Sequence, residues 1–140
     1  MKKKNIFVYW MPFIVYAFLI FYVSSQSLEN VDLGGIYGLD KCIHALEYAI
    51  LVFLGYRAFV FGTNGFFDWS WALLLSLLVS VLYAISDEYH QSFVPNRHTD
   101  ILDLMADVTG IVVFVFFIIW MRRRFVRQDS GMLSRRIFFP

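Results

Sequence analysis

Two pairs of residues three apart, His44 with Glu47 and Asp87 with His90, carry the first chemically suggestive spacing in this chain. On a helix such neighbours share a face. Histidine beside carboxylate serves general acid–base work, and the same pairs on facing helices can hold a metal ion. More ionisable residues surround them: Asp40, Lys41 and Tyr48 near the first pair, Glu88, Gln91, Arg97 and His98 near the second, then Asp100, Asp103 and Asp107. At about 100° per residue, Lys41, His44 and Tyr48 fall on one narrow face with Glu47 at its edge, and Asp100, Asp103, Asp107 and Gly110 fall on another. Arg97 suits a substrate phosphate or carboxylate, gripped by two parallel N–H donors. Ser24 and Ser25 lie upstream in no recognisable nucleophile motif. There is no HExxH, and the single Cys42 excludes an internal disulfide and matches no zinc spacing. A divalent cation is the one cofactor these residues suggest, with no ligand set to specify it.

The elements that must position these groups are membrane helices. The 140 residues are 59% hydrophobic and only 16% charged, where a soluble domain is about a quarter charged. Ile6–Val23 and Trp69–Ser86 are uncharged runs, each about 27 Å long at 1.5 Å per residue, close to the hydrocarbon thickness of a bilayer. Cys42–Phe61 contains His44, Glu47 and Arg57, and Ile101–Met121 contains Asp103 and Asp107, yet both remain long enough to span. Lipid offers the backbone no hydrogen-bond partners, so all four are expected to be helices. The fold class is therefore an all-α membrane protein, a compact bundle of four transmembrane helices. Residues 1–125 form that domain and 126–140 a basic cytoplasmic tail, and GTNGFFD at Gly62–Asp68 makes a short turn. The alternative, that Met1 to about Ser25 is a cleaved signal peptide, leaves three helices; the apolar region is long for a signal and lacks a clear small-x-small site.

Lys2, Lys3 and Lys4 precede the first run, and Arg122, Arg123, Arg124, Arg127, Arg135 and Arg136 follow the last. An even number of spans puts both ends on one side, and the positive-inside rule makes that side the cytoplasm of a cell membrane. Arg57, at the inner end of the second run, agrees. The polar residues then gather at the outer ends of helices two, three and four, with Ser76, Ser80 and Tyr83 leading along helix three to Asp87. Ionisable side chains avoid lipid, so these faces should turn together into an outward cleft, with Ser76, Ser80 and Gly110 letting the helices approach.

Seven acids (Asp40, Glu47, Asp87, Glu88, Asp100, Asp103, Asp107) face two permanent bases, Lys41 and Arg97. They cannot all stay ionised in a low-dielectric pocket without protons, a bound cation or bulk water. A structural network, a metal site, acid–base catalysis on lipid-linked phosphates or headgroups, and a proton path remain open readings. Against the last, the polar residues stop halfway across. Asp100 suits a helix N-cap, with Asp103 in the favourable first turn. Phe13, Phe18, Phe21, Phe114, Phe116 and Phe117 suit packing or lipid contact, and Trp10, Trp69, Trp71 and Trp120 suit the interfaces. The Arg-Arg-Arg run suits anionic inner-leaflet lipid. Nothing points to nucleic acid.

Four blocks carry a resemblance: Ser24-Ser25-Gln26; Asp40-Lys41-x-x-His44-x-x-x-Tyr48; Asp87-Glu88-Tyr89-His90-Gln91-x-Phe93-x-Pro95-x-Arg97; and Asp103-x-x-x-Asp107-x-x-Gly110. Together with the four-helix layout they resemble the VanZ-like family, small bacterial membrane proteins whose namesake is associated with teicoplanin resistance. Three positions depart from its pattern: Ser27 for a frequent Pro, Asn96 for Gly, and Asp107 for a common Asn. The resemblance implies a site that binds or modifies a cell-envelope lipid or a lipidated glycopeptide. His44, Asp87, Glu88, His90, Arg97 and Asp103 are the candidate catalytic residues there, and Lys41, Tyr48, Gln91 and Asp107 the candidate substrate-binding ones.

Overall fold

The computed structural model describes residues 6–27, 38–95, 97 and 100–138, with side chains given as far as residue 124. Four helices follow in order: α1 Ile6–Ser24, α2 Leu39–Gly62, α3 Trp69–Gln91 and α4 Ile101–Phe138. Each of α1, α2 and α3, and α4 as far as Arg124, is long and apolar enough to cross a membrane. The helices alternate in direction. One end of the bundle therefore gathers the close of α1, the start of α2, the close of α3 and the start of α4, here the polar end. The opposite, arginine end holds Arg57 and Arg122–Arg124. Beyond Arg124 the helix runs on to Phe138, passing residue 125 without a break.

Helix α2 is the hub and packs against the other three. Its buried stripe, Tyr48, Leu51, Val52, Gly55, Tyr56, Ala58 and Gly62, recurs at three- and four-residue steps, as one face of a helix must. Around Tyr48, Leu51 and Val52 the core closes with Ile20, Ala84 and Ile111. A second patch toward the arginine end joins Tyr56 to Ala72, Leu73 and Ile118. Most other large apolar side chains face outward, as lipid-facing residues do.

Small residues set the spacing. A Cβ at Gly110 would collide with the backbone carbonyl of Ala45, so α2 and α4 touch backbone to backbone there. At Gly55 an added Cβ would sit 3.3 Å from Ser76 Cβ and 3.3 Å from the Phe13 ring. The serine expected to ease helix contact thus does so between α2 and α3.

Local chemistry closes the backbone where helices break. Pro12, inside α1, has no N–H for the Val8 carbonyl four residues back, and Arg57 donates to that oxygen through Nη2 at 3.5 Å. The α2–α3 turn needs left-handed residues, and Asn64 (φ 54) and Gly65 (φ 85) supply them. Asp68 then caps α3, accepting from the amides of Ser70 and Trp71 at 2.9 Å. The Trp71 amide first, and then the Ser70 hydroxyl, hold its carboxyl below the usual range. All four tryptophans gather at the arginine end. There Trp10 donates its indole N–H to the Gly62 carbonyl at 3.3 Å.

Candidate functional site

At the polar end, the first turn of α2 meets the first turn of α4. Asp100 begins α4 as an N-cap, its Oδ1 accepting from the Leu102 amide at 2.9 Å. Its other oxygen takes the Lys41 ammonium at 2.7 Å. Lys41 also reaches Asp40 at 3.1 Å and pairs with Asp103. One ammonium thus gathers three carboxylates. The Lys41 contact first, and then the Leu102 amide, hold the Asp100 carboxyl below the ordinary carboxylate range.

One turn deeper, His44 Nδ1 lies 3.0 Å from Asp107 Oδ1, and its Nε2 lies 3.9 Å from Asp103. When Asp107 is ionised it only accepts, and the Nδ1–H of His44 then donates to it. Asp107 is 2% exposed, among the most enclosed ionisable groups in the bundle. Glu47, on the next part of the same face, lies within electrostatic reach of His44, Asp87, Asp107 and Arg97. The faces of α2, α3 and α4 therefore do converge.

Helix α1 supplies a fourth wall. Ser24 donates to Asp87 Oδ2 at 2.8 Å, and Gln91 donates to the same oxygen at 3.0 Å. All three side chains are buried. Beside them Ser25 Oγ lies 3.0 Å from His90 Nε2, while the His90 ring stacks on Phe21 with centroids 4.5 Å apart. Ser25 also donates to the Phe21 carbonyl at 2.7 Å. Its one proton is thereby committed, so it accepts from His90 Nε2–H, and Nδ1 is left as the basic nitrogen.

Glu88 joins α3 to α4 by accepting the Asp100 amide on Oε1 at 2.6 Å. Its Oε2 is buried with no hydrogen-bond partner among the described residues. The same holds for Asp87 Oδ1, Tyr48 Oη, Arg97 Nε and Ser80 Oγ. Four of these five atoms belong to residues singled out in the motif blocks. Unsatisfied buried polar atoms are few in folded proteins and call for an explanation.

A family model described as VanZ/LLP1 matches residues 3–122, nearly the whole chain. The chain belongs to the VanZ/LLP1 family. No curated protein and no solved structure matches it. In this VanZ/LLP1 protein the motif blocks far apart in sequence meet at one end of the bundle: Ser24 with Asp87 and Gln91, Lys41 with Asp100 and Asp103, His44 with Asp107. His98 and Asn96 lie outside the described residues, as do Lys2, Lys3 and Lys4. Among the described residues no three or more His, Cys, Asp or Glu are grouped so as to hold a metal ion. His44 with Glu47 and Asp87 with His90 thus do not assemble into a shared ligand set there.

Reading the sequence by helical faces missed the contribution of α1. Ser25 and Phe21 contact His90 directly, and Tyr83 donates to the Ala17 carbonyl of α1 at 2.5 Å. The Ser-Ser-Gln block was a signal, since Ile20 and Ser24, four apart, are the buried pair of α1. Uniform hydropathy along the rest of that helix hid which face packs.

Proposed function

We propose that the polar end binds a lipid-anchored component of the cell envelope and acts on it by acid–base chemistry, from the outer face of a bacterial cell membrane. The observation that carries this reading is the set of buried, partnerless atoms. Asp87 Oδ1 and Glu88 Oε2 accept, while Arg97 Nε donates. A ligand that satisfies them offers hydroxyl or amine donors to the carboxylates and an anionic oxygen to the arginine. A lipid-linked phosphate carrying a sugar or amine headgroup has both, and so does a lipidated glycopeptide. A network kept for stability would be closed upon itself, because a half-satisfied polar cluster is worse than an apolar one.

Within this reading each group has a role. His90, oriented by Ser25 and Phe21, offers Nδ1 as a base. His44, held by Asp107 and near Asp103, serves as the acid–base partner on α2. Arg97 grips the anionic group, and Asp87 and Glu88 hold its donors, with Gln91 fixing Asp87. Lys41 fixes Asp103, and Tyr48 offers its hydroxyl beneath. The basic ends place both termini in the cytoplasm by the positive-inside rule, which turns the polar end outward.

A second reading is binding without turnover. It is favoured by membership of a family whose namesake is associated with teicoplanin resistance, and it involves a lipidated glycopeptide as the ligand. Expressing the wild type, His44→Ala and His90→Ala at matched membrane levels in a susceptible Gram-positive host, and measuring the teicoplanin and vancomycin inhibitory concentrations, tests the site. The expected outcome is raised teicoplanin tolerance in the wild type alone. Tolerance retained in both folded variants overturns a role for the histidines. Consumption of a lipid-linked substrate by purified wild type, lost in both variants, separates catalysis from saturable binding alone.

A further inference from the structure

At the opposite end of the molecule a groove runs between α3 and α4, with a volume of about 1690 Å³. That exceeds the few hundred to about 1,000 Å³ of a small-molecule pocket, and the groove lies open along the side of the bundle that lipid would cover. Its walls are apolar. Leu73 and Leu77 come from α3, Val115 and Ile119 from α4. From Trp69 to Leu77 it extends about 12 Å along α3 at 1.5 Å per residue, reaching well into one leaflet.

The mouth is cationic. Arg122, Arg123 and Arg124 line it, and no acidic side chain does among the described residues. Two of the three guanidiniums are held in place by aromatic faces. Arg122 sits over the Trp69 ring at 4.7 Å and Arg124 over Trp120 at 5.2 Å. Arg122 also donates to the Tyr56 hydroxyl at 3.4 Å. Asp68, the acid just before α3, does not neutralise them by contact, since its carboxylate caps the helix through Ser70 and Trp71. An apolar channel reaching into the leaflet that ends in three guanidiniums, two of them positioned by aromatic rings, is complementary to one molecule, an acyl chain bearing a phosphate.

We propose that this groove is a binding site for an anionic phospholipid of the leaflet on the arginine side, with the acyl chain between α3 and α4 and the phosphate on Arg122–Arg124. Guanidinium matches phosphate with paired donors, which an ammonium does not. The proposal stands independently of the chemistry at the polar end.

Trp69 and Trp120 line the groove and report on it directly. The wild type is reconstituted in bilayers in which the brominated lipid is either phosphatidylglycerol, in a phosphatidylcholine background, or phosphatidylcholine, in a phosphatidylglycerol background. Tryptophan quenching then gives the relative affinity of each lipid. The expected result is a preference for brominated phosphatidylglycerol, on the order of fivefold per engaged arginine. Arg123→Gln with Arg124→Gln should cut the ratio by up to about twenty-fivefold, leaving the roughly fivefold share of Arg122. Both side chains are exposed at the end of α4, so the bundle core is untouched. Leu74→Phe, an exposed groove residue, should weaken binding of both lipids by narrowing the channel while preserving the charge preference. Equal quenching by the two lipids in the wild type overturns the proposal, as does a preference undiminished in the double variant. Quenching by neither lipid, together with the mass of a dimer, assigns the groove to a second copy of the chain and overturns it too.

Discussion

Lys41 shows how a single side chain organises the polar end. Its ammonium contacts Asp40, Asp100 and Asp103, three carboxylates that would otherwise repel one another at the junction of α2 and α4. Lys41→Gln is expected to lower the melting temperature by a few degrees at neutral pH. The loss is moderate because the cluster is partly exposed and solvent screens it. The pH dependence has a definite sign. Asp100 is held below the ordinary carboxylate range by Lys41, so its contribution is present above the unfolded value of about 3.9 and fades as pH falls through the lower folded value. In the variant the Lys41 share of that contribution is gone at every pH, and the Leu102 amide keeps the rest. The gap between melting curves for the two proteins should therefore be widest near neutral pH and narrow as the pH falls below about 3.9. A gap that stays constant would refute the assignment.

Helix α4 depends on a glycine where it crosses α2. A methyl group at Gly110 would meet the Ala45 carbonyl, which is main chain and cannot turn aside. Gly110→Ala is expected to destabilise by about 1–3 kcal/mol, the usual cost of overpacking. Gly55→Ala should cost less, because the nearest atoms, on the Phe13 ring and at Ser76 Cβ, stand 3.3 Å from the added atom and need give by only a few tenths of an ångström. Thermal unfolding of the two variants in one detergent compares them, and equal losses would show that the α2–α4 contact is not backbone-limited. The sequence pointed to Gly110 as a close-approach residue from its place on the acidic face of helix four. It could not say which neighbour the glycine meets. Pro12 is a similar case. Its missing donor is evident from the residue type, whereas the remedy, Arg57 reaching the Val8 carbonyl, joins residues 49 apart in sequence.

For the whole molecule the proposed orientation is directly measurable. Cys42 is an exposed free thiol, so Cys42→Ser is the starting background. In intact cells Ser27→Cys, just past α1 at the polar end, is expected to react with a membrane-impermeant maleimide. Asn64→Cys, in the α2–α3 turn at the arginine end, should react only after permeabilisation. The reverse pattern would put the arginines outside, and would move both the outward site and the proposed lipid groove to the opposite leaflets.

The number, type and approximate limits of the helices follow from composition and run length, because lipid leaves a spanning backbone little alternative to helix. That the ionisable residues avoid lipid and face one another follows from the cost of exposing charge there. Their pairing does not follow. Lys41 with Asp103, His44 with Asp107, and Ser24 with Asp87 join residues about sixty apart, and helical periodicity gives the direction of a face but not the rotation and depth at which two faces meet. The contribution of α1 was hidden for the same reason: nearly every position of that helix is apolar, so its pattern does not distinguish the side facing lipid from the side facing protein. Only packing against α3, which brings Ser24 and Ser25 to Asp87 and His90, decides that this helix closes the site.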